Sequence, residues 1–238
     1  MTDPVEIYVL DKRVKLLQPV DGFRTSLDSV MLAAACPAKL GQSVLDLGCG
    51  VGGAGLCVLE RVKGTCLTGV DIQFDHIEMA RENAVMNKAQ AEFIVSDIMD
   101  FRSDERFDHV ICNPPYMEEG AHTPSPKIKK ATAHGHDLLV KDWIDAGFEH
   151  LKSGGSYTMI HRADMTDKII QGMGKRFGAI EIIPLWPRAG QNAKRVIVRS
   201  VKDRKTPATL HAGIVLHQED GSYTDAADAI LRGLKEIA

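Results

Sequence analysis

The sequence predicts an α/β fold, a doubly wound, seven-stranded and mostly parallel sheet whose last strand runs antiparallel. Three observations carry this. Short apolar runs at residues 43–47, 65–72, 91–95, 107–112 and 156–161 alternate with segments of helical periodicity, the pattern of repeated strand–helix–strand crossovers. The first run feeds a glycine-rich turn, Gly48-Cys49-Gly50-Val51-Gly52-Gly53, and then a helix to about Lys63, the opening of a nucleotide-binding sheet. The last two strands, 179–186 and 195–201, are joined by 187–194, which is too short for a crossover helix, so they pair antiparallel.

Taken in order, residues 5–17 alternate loosely between apolar and polar and predict a hairpin or edge strands. Pro19 and Gly22 mark a turn, and Ser26 or Asp28 caps a helix over 29–35. Asp28 has two readings, that cap and a ligand contact. Residues 1–40 are taken as an extension covering a cofactor site and 41–238 as the main domain, the two forming one compact unit. Residues 75–87 form a packing helix, with Ile77, Ala80 and Ala84 at helical spacing. Residues 117–136 show no periodicity and hold Gly120, Pro124, Pro126 and Gly135, which reads as a lid or a disordered loop. Its histidines (His122, His134, His136) have no carboxylate or thiolate partner at ligand spacing, so no metal is expected. Its lysines (Lys127, Lys129, Lys130) suit phosphate or simply solvent. An amphipathic helix at 137–151 is closed by Lys152-Ser153-Gly154-Gly155 as cap and turn, and helices follow at 164–177 and 222–237. Residues 213–217 are a short apolar run.

The strand ends carry the candidate chemistry. Asp46 lies one residue inside the end of the 43–47 strand, ahead of Gly48, Gly50 and Gly52. Glycines there let backbone approach a ligand closely. Gly48, Gly50 and Gly53 also satisfy the GxGxxG dinucleotide fingerprint. Asp46 leans toward S-adenosylmethionine, which has a cationic amino group and a sulfonium and no pyrophosphate. Asp71, ending the second strand, suits ribose hydroxyls in either kind of site. Asp97 and Ile98, after the third, suit an adenine amino group and ring face, against a competing reading of Asp97 as a helix cap.

The fourth strand runs into Asn113-Pro114-Pro115-Tyr116. Consecutive prolines remove two donors and fix φ twice, so the strand ends in a rigid corner. In open α/β sheets ligands sit at such carboxyl ends. The corner offers the Asn113 amide oxygen, the Pro114 carbonyl and the Tyr116 ring, which suit a planar group with an NH2 on its edge. That reads as an amino-group methyltransferase.

Composition narrows the field. With 238 residues, 44% hydrophobic and 26% charged, the chain is an ordinary globular one. A formal charge of −3 argues against a uniformly basic nucleic-acid binder and leaves room for a local patch. Lys194, Arg195, Arg199, Lys202, Arg204 and Lys205 form one, a candidate contact for nucleic-acid phosphate. Five cysteines without CxxC spacing read as reduced core thiols, not as a disulfide frame or zinc site. No leader pattern and no bilayer-length apolar segment stand out, so a cytoplasmic monomer without membrane contact is expected.

Seven strands with a terminal antiparallel pair, the glycine loop, the acids after strands two and three and Asn113-Pro114-Pro115-Tyr116 together resemble the class I S-adenosylmethionine-dependent methyltransferases of the amino-group type, which are Rossmann-like. Within that class, Gly22-Phe23-Arg24-Thr25-Ser26-Leu27-Asp28, and Pro187-Arg188-Ala189-Gly190 with Ala193-Lys194-Arg195, are similar to the bacterial valine-tRNA adenine N6-methyltransferase family. The resemblance implies S-adenosylmethionine as cofactor and tRNA as partner. It implies that Asp46, Gly48, Gly50 and Gly52 border the methionine part, with Asp28 on the cofactor side. Asp71 then takes the ribose, Asp97 and Ile98 the adenine, and Asn113, the Pro114 carbonyl and Tyr116 the target base.

Four alternatives stand beside it. Glutamine N5 methylation of a release factor uses the same corner, but such enzymes usually carry an additional helical amino-terminal domain, and only about forty residues precede the 43–47 strand. Guanine N2 methylation of rRNA is a second. A nicotinamide-linked oxidoreductase lacks a Tyr-x-x-x-Lys pair here and leaves Asn113 to Tyr116 without a role. A silent RNA-binding module has no need of Asp71, Asp97 and Asn113 together.

Overall fold

The computed structural model describes residues 4–20, 25–116 and 138–237. β1 (Val5–Val9) and β2 (Val14–Gln18) form the expected hairpin. Its turn runs through Leu10, Asp11 and Lys12, with φ of 51°, 55° and 65°. Val14, Leu16 and Gln18 alternate inward along β2. The outer edge of β2 is satisfied by side chains at the end of α3 (Phe74–Met86). Asn83 accepts from Leu17 N at 2.7 Å and donates to Leu17 O at 3.0 Å, and Asn87 does the same for Lys15 at 2.9 and 2.7 Å. Two amides thus stand in for a third strand.

α1 (Leu27–Ala35) begins at Ser26, whose hydroxyl accepts from Asp28 N at 3.3 Å. Ser26 is therefore the cap, and the Asp28 side chain is used elsewhere. The main sheet contains β3 (Ser43–Leu47), β4 (Cys66–Asp71), β5 (Ala91–Val95), β6 (Phe107–Cys112), β7 (Leu151–Arg162), β8 (Phe177–Trp186) and β9 (Arg195–Lys202). Two short strands, β10 (Thr209–Leu210) and β11 (Ile214–Val215), pair with β8 at the edge. The order is β10-β8-β9-β7-β6-β3-β4-β5, and β9 alone runs antiparallel to its neighbours. Among the described residues the sheet therefore has nine strands where the sequence predicts seven. Chain order reverses between β3 and β6, which makes their carboxyl ends the switch point where a ligand crevice forms.

Helices cover both faces. α1, α2 (Gly53–Arg61) and α3 pack one face through residues such as Met31, Leu56 and Ile77. α4 (Val140–His150) and α5 (Thr166–Met173) pack the other through Trp143, Ile144, Ile169 and Met173. The 152–155 segment is not a helix cap. β7 begins directly after α4, and its pairing jumps from Phe107↔Leu151 to His109↔Ser156, so the segment bulges out of the strand with Gly154 at φ 78°. α6 (Asp225–Leu231) is shorter than predicted because Gly233 (φ 72°) turns the chain back. The tail then docks on α1, with Ile237 N donating to Ala34 O at 2.9 Å.

On α4, Gly147 lies against the ring of Tyr157. An added Cβ would lie 2.2 Å from it. Gly147→Ala is expected to cost about 1–3 kcal/mol by overpacking, a fall in Tm of roughly 5 °C for a chain of this size. Thermal unfolding followed by circular dichroism checks this, and an unchanged Tm would contradict the packing account. Among the described residues no helix is long and apolar enough to cross a membrane. None of the cysteines is in a disulfide. Cys36, Cys49, Cys57 and Cys112 are buried, and Cys66 is exposed.

Candidate active site

The glycine loop curls over the end of β4, with Gly48 N and Cys49 N both donating to Val70 O at 2.8 and 3.0 Å. Gly48, Gly50 and Gly52 have φ of 68°, 53° and 83°, the region glycine enters without strain. What a side chain would meet separates them. A Cβ on Gly48 would lie 2.8 Å from Trp143, on Gly52 2.9 Å from Phe93, and on Gly53 2.4 Å from Thr25 Oγ1. On Gly50 it would meet nothing within 4 Å. Packing therefore demands the others, while Gly50 faces an open cradle. Thr25 reaches the loop from the amino-terminal segment, its N–H donating to Gln18 Oε1 at 3.0 Å.

Two carboxylates lie beneath this loop. Asp71 accepts from Gly50 N at 2.8 Å on one oxygen and from Gln73 N at 2.9 Å on the other, so it sets the loop's shape at the cradle. Asp46 is 2% exposed and accepts from Gly55 N at 3.0 Å in the first turn of α2. Burial pushes its pKa up to about 7, against the Gly55 N–H and reinforced by the charge on Asp71. Because the carboxyl's ordinary value is 3.8, folded-state stability falls as pH rises from about 4 to about 7. Asp46→Asn is expected to remove that slope, so that without cofactor it is more stable than wild type at about pH 8 and similar at about pH 4. Urea unfolding at both pH values decides it. A parallel slope in both proteins would contradict it.

Asp97 is half-buried, and its Oδ1 accepts from Met99 N at 2.9 Å. Its carbonyl also accepts from Asp100 N and Phe101 N, so it caps the turn after β5. Ile98 is 4% exposed and packs in the core with Phe101.

The corner after β6 gathers more than the sequence suggested. Pro114 is buried, and Asn113 and Tyr116 are half-buried. The Tyr116 hydroxyl lies 2.9 Å from Asp28 Oδ2 and 3.1 Å from Asn113 Oδ1. Arg195 Nε donates to the same Asp28 oxygen at 3.0 Å, and its guanidinium lies 4.6 Å from the centre of the Tyr116 ring. His161, from β7, meets that ring at 5.0 Å with 60° between planes. His161 Nδ1 accepts from Arg162 N at 2.8 Å. Burial, then the charges of Arg162 and Arg195, hold its pKa down at about 4, so it is neutral near pH 7. Burial and Asp28 hold the Tyr116 phenol far above its ordinary value.

Sequence reasoning missed His161, which looks like any residue of an apolar strand, and placed Arg195 in a basic run. That run divides. Arg195 belongs to the corner. Arg199 pairs with Glu181 and donates to Ala35 O at 3.0 Å. Lys202 donates to Phe148 O and Leu151 O at 2.7 and 2.9 Å. Arg204 and Lys205 lie past the far end of β9, about 25–30 Å along the strand from Lys194. Gly22, Phe23, Arg24 and the 117–136 stretch, with its lysines and histidines, lie outside the described residues. Among the described residues no cluster of three or more His, Cys, Asp or Glu could hold a metal.

Comparison with known proteins gives a consistent picture. The family described as Methyltransferase small domain matches residues 24–185. A tRNA1(Val) (adenine(37)-N6)-methyltransferase of Shewanella baltica (strain OS195) is 28% identical over 221 residues, 89% of this chain and 91% of that protein. A protein of the same name from Vibrio campbellii (strain ATCC BAA-1116) is 32% identical over 120 residues, 50% of this chain and 49% of that one. Among solved structures, a predicted O-methyltransferase from Agrobacterium tumefaciens matches with a TM-score of 0.73 and 27% identity, covering 89% of this chain and 98% of that one.

Proposed function

The chain belongs to the methyltransferase small domain family, and on that premise we propose that this S-adenosylmethionine-dependent enzyme methylates N6 of an adenine in a tRNA. One observation carries the reading. The Asn113–Tyr116 corner stands at the end of β6, beside the β3 end that leads into the open Gly50 cradle. The relatives named for adenine N6 of a tRNA, one aligned over 89% of this chain, support the choice of acceptor.

Bound S-adenosylmethionine supplies an electrophilic methyl group on its sulfonium. Gly50 would give it close backbone contact, Asp71 and Asp97 would hold its ribose and adenine, and the Asp46 charge would favour its cationic end. In this reading residues 1–40 act as an extension over the cofactor site, and Thr25, which packs against Gly53, is the contact that supports it. An exocyclic amine conjugated to a ring is a poor nucleophile. Asn113 Oδ1 and the Pro114 carbonyl accept its two hydrogens and favour a pyramidal nitrogen whose lone pair faces the methyl. Positive charge develops on that nitrogen, so these fixed acceptors stabilise the transition state more than the ground state. Fixed geometry supplies much of the rest. Proton loss follows transfer, so no tuned base is needed. The target base leaves its own stack to reach the corner. A base stacking on Tyr116 has to use the face that Arg195 does not cover.

The test is transfer of labelled methyl from S-adenosylmethionine to total RNA and, separately, to total protein, both from a host lacking this gene. N6-methyladenosine in the tRNA fraction is expected. Methylglutamine in protein, or N2-methylguanosine in rRNA, would overturn the acceptor while keeping the corner chemistry.

A further inference from the structure

We infer that Asp28 and Arg195 are positioning residues that fix the Tyr116 ring and draw its hydroxyl away from Asn113, leaving the amide oxygen free for the substrate's amino group. This deepens the reading above and rests on it.

The argument starts from a conflict. The Tyr116 hydroxyl has one proton and two acceptors within reach, Asp28 Oδ2 at 2.9 Å and Asn113 Oδ1 at 3.1 Å. If the proton went to Asn113, the amide oxygen would be occupied by the enzyme's own side chain. A carboxylate is the stronger acceptor, so with Asp28 present the proton goes there. Without Asp28, the acceptor left within reach of the hydroxyl among the described residues is the amide oxygen that catalysis needs.

Arg195 makes this arrangement rigid. Its Nε–H holds the same Asp28 oxygen at 3.0 Å while its plane covers the tyrosine ring at 4.6 Å. A planar guanidinium presents its N–H groups in its plane and its face to the ring, so one side chain makes both contacts in a fixed geometry. The pair also cancels its own charge. An unpaired guanidinium here would oppose the positive charge that develops on the substrate nitrogen. Four elements converge on one ring: Asp28 from α1, Tyr116 after β6, His161 from β7 and Arg195 from β9. His161 braces the ring as a buried, neutral group. Asp28 therefore serves the base, not the cofactor side that the family resemblance implied.

The experiment is a mutant cycle read as kcat, KM and S-adenosylmethionine affinity. Asp28→Ala is expected to lower kcat about 30-fold, the scale of one misplaced hydrogen bond, with cofactor affinity by calorimetry unchanged. Adding Tyr116→Phe removes the misdirected hydroxyl, so the double variant is expected to recover about 10-fold of that loss. Arg195→Ala is expected to lower kcat as well. A purely structural role for Asp28 predicts no rescue, and a double variant as slow as or slower than Asp28→Ala overturns the inference. So does a loss of cofactor affinity in Asp28→Ala that accounts for the rate. Asp28→Asn, which keeps the volume, replaces Asp28→Ala in the cycle if the alanine variant does not fold. The cycle is run on whichever acceptor the wild type labels. A protein glutamine in place of a tRNA adenine would defeat the substrate reading while the cycle still decides this one.

Discussion

Asn113→Ala is expected to lower methyl transfer by about a thousandfold, with S-adenosylmethionine affinity unchanged. In the proposed mechanism the amide oxygen is one of two fixed acceptors that meet the entering amino group. Removing one preorganised group that meets developing charge costs about 10²–10³ in kcat. Cofactor affinity is spared because the cradle is built from Gly50 and Asp71, on β3 and β4 ends, and not from the corner. Single-turnover transfer from bound cofactor separates chemistry from binding. Full transfer rate in the variant would remove the amide from the mechanism. A parallel loss of cofactor binding would mean that Asn113 serves the cofactor.

The placement of the candidate residues at the strand ends was legible in the sequence because local rules fix it. Two prolines stop β6, glycines shape the turn after β3, and acids end β4 and follow β5. None of these needs knowledge of a distant partner. The ring of contacts around Tyr116 was not legible, because its hydrogen bonds join residues 88 and 167 positions apart. No periodicity announces such a pairing, and Ser26, two residues earlier, supplied the cap that Asp28 was weighed for. The division of the basic run was not legible for a related reason. Lys194 and Lys205 are near in sequence, but an extended strand separates them by its full length. β10 and β11 escaped because two residues cannot show a period. The 152–155 bulge looked like a cap because a glycine pair after a helix ordinarily is one.

The glycine loop shows the same limit and yields the second large effect. From sequence, Gly48, Gly50, Gly52 and Gly53 are equivalent candidates. In the fold, Trp143, Phe93 and Thr25 claim three of them, leaving Gly50 facing open space. Gly50→Leu and Gly48→Ala should therefore fail in different assays. At Gly50 an added Cβ meets nothing within 4 Å, and the left-handed φ of 53° costs about 1–2 kcal/mol. The variant folds with a modest fall in Tm, yet its side chain fills the cradle, and cofactor affinity is expected to fall at least about a hundredfold, the equivalent of about 2.7 kcal/mol. Gly48→Ala adds the same backbone cost at φ 68° to a Cβ 2.8 Å from the Trp143 ring. It is expected to lose about 2–4 kcal/mol of stability, while the folded fraction still binds S-adenosylmethionine. Calorimetric titration at low temperature and thermal unfolding, run on both variants, give opposite rankings under this account. If Gly50→Leu binds the cofactor as wild type does, the open cradle is not the cofactor's seat, and the roles assigned to Asp71 and Asp46 around it fall with it.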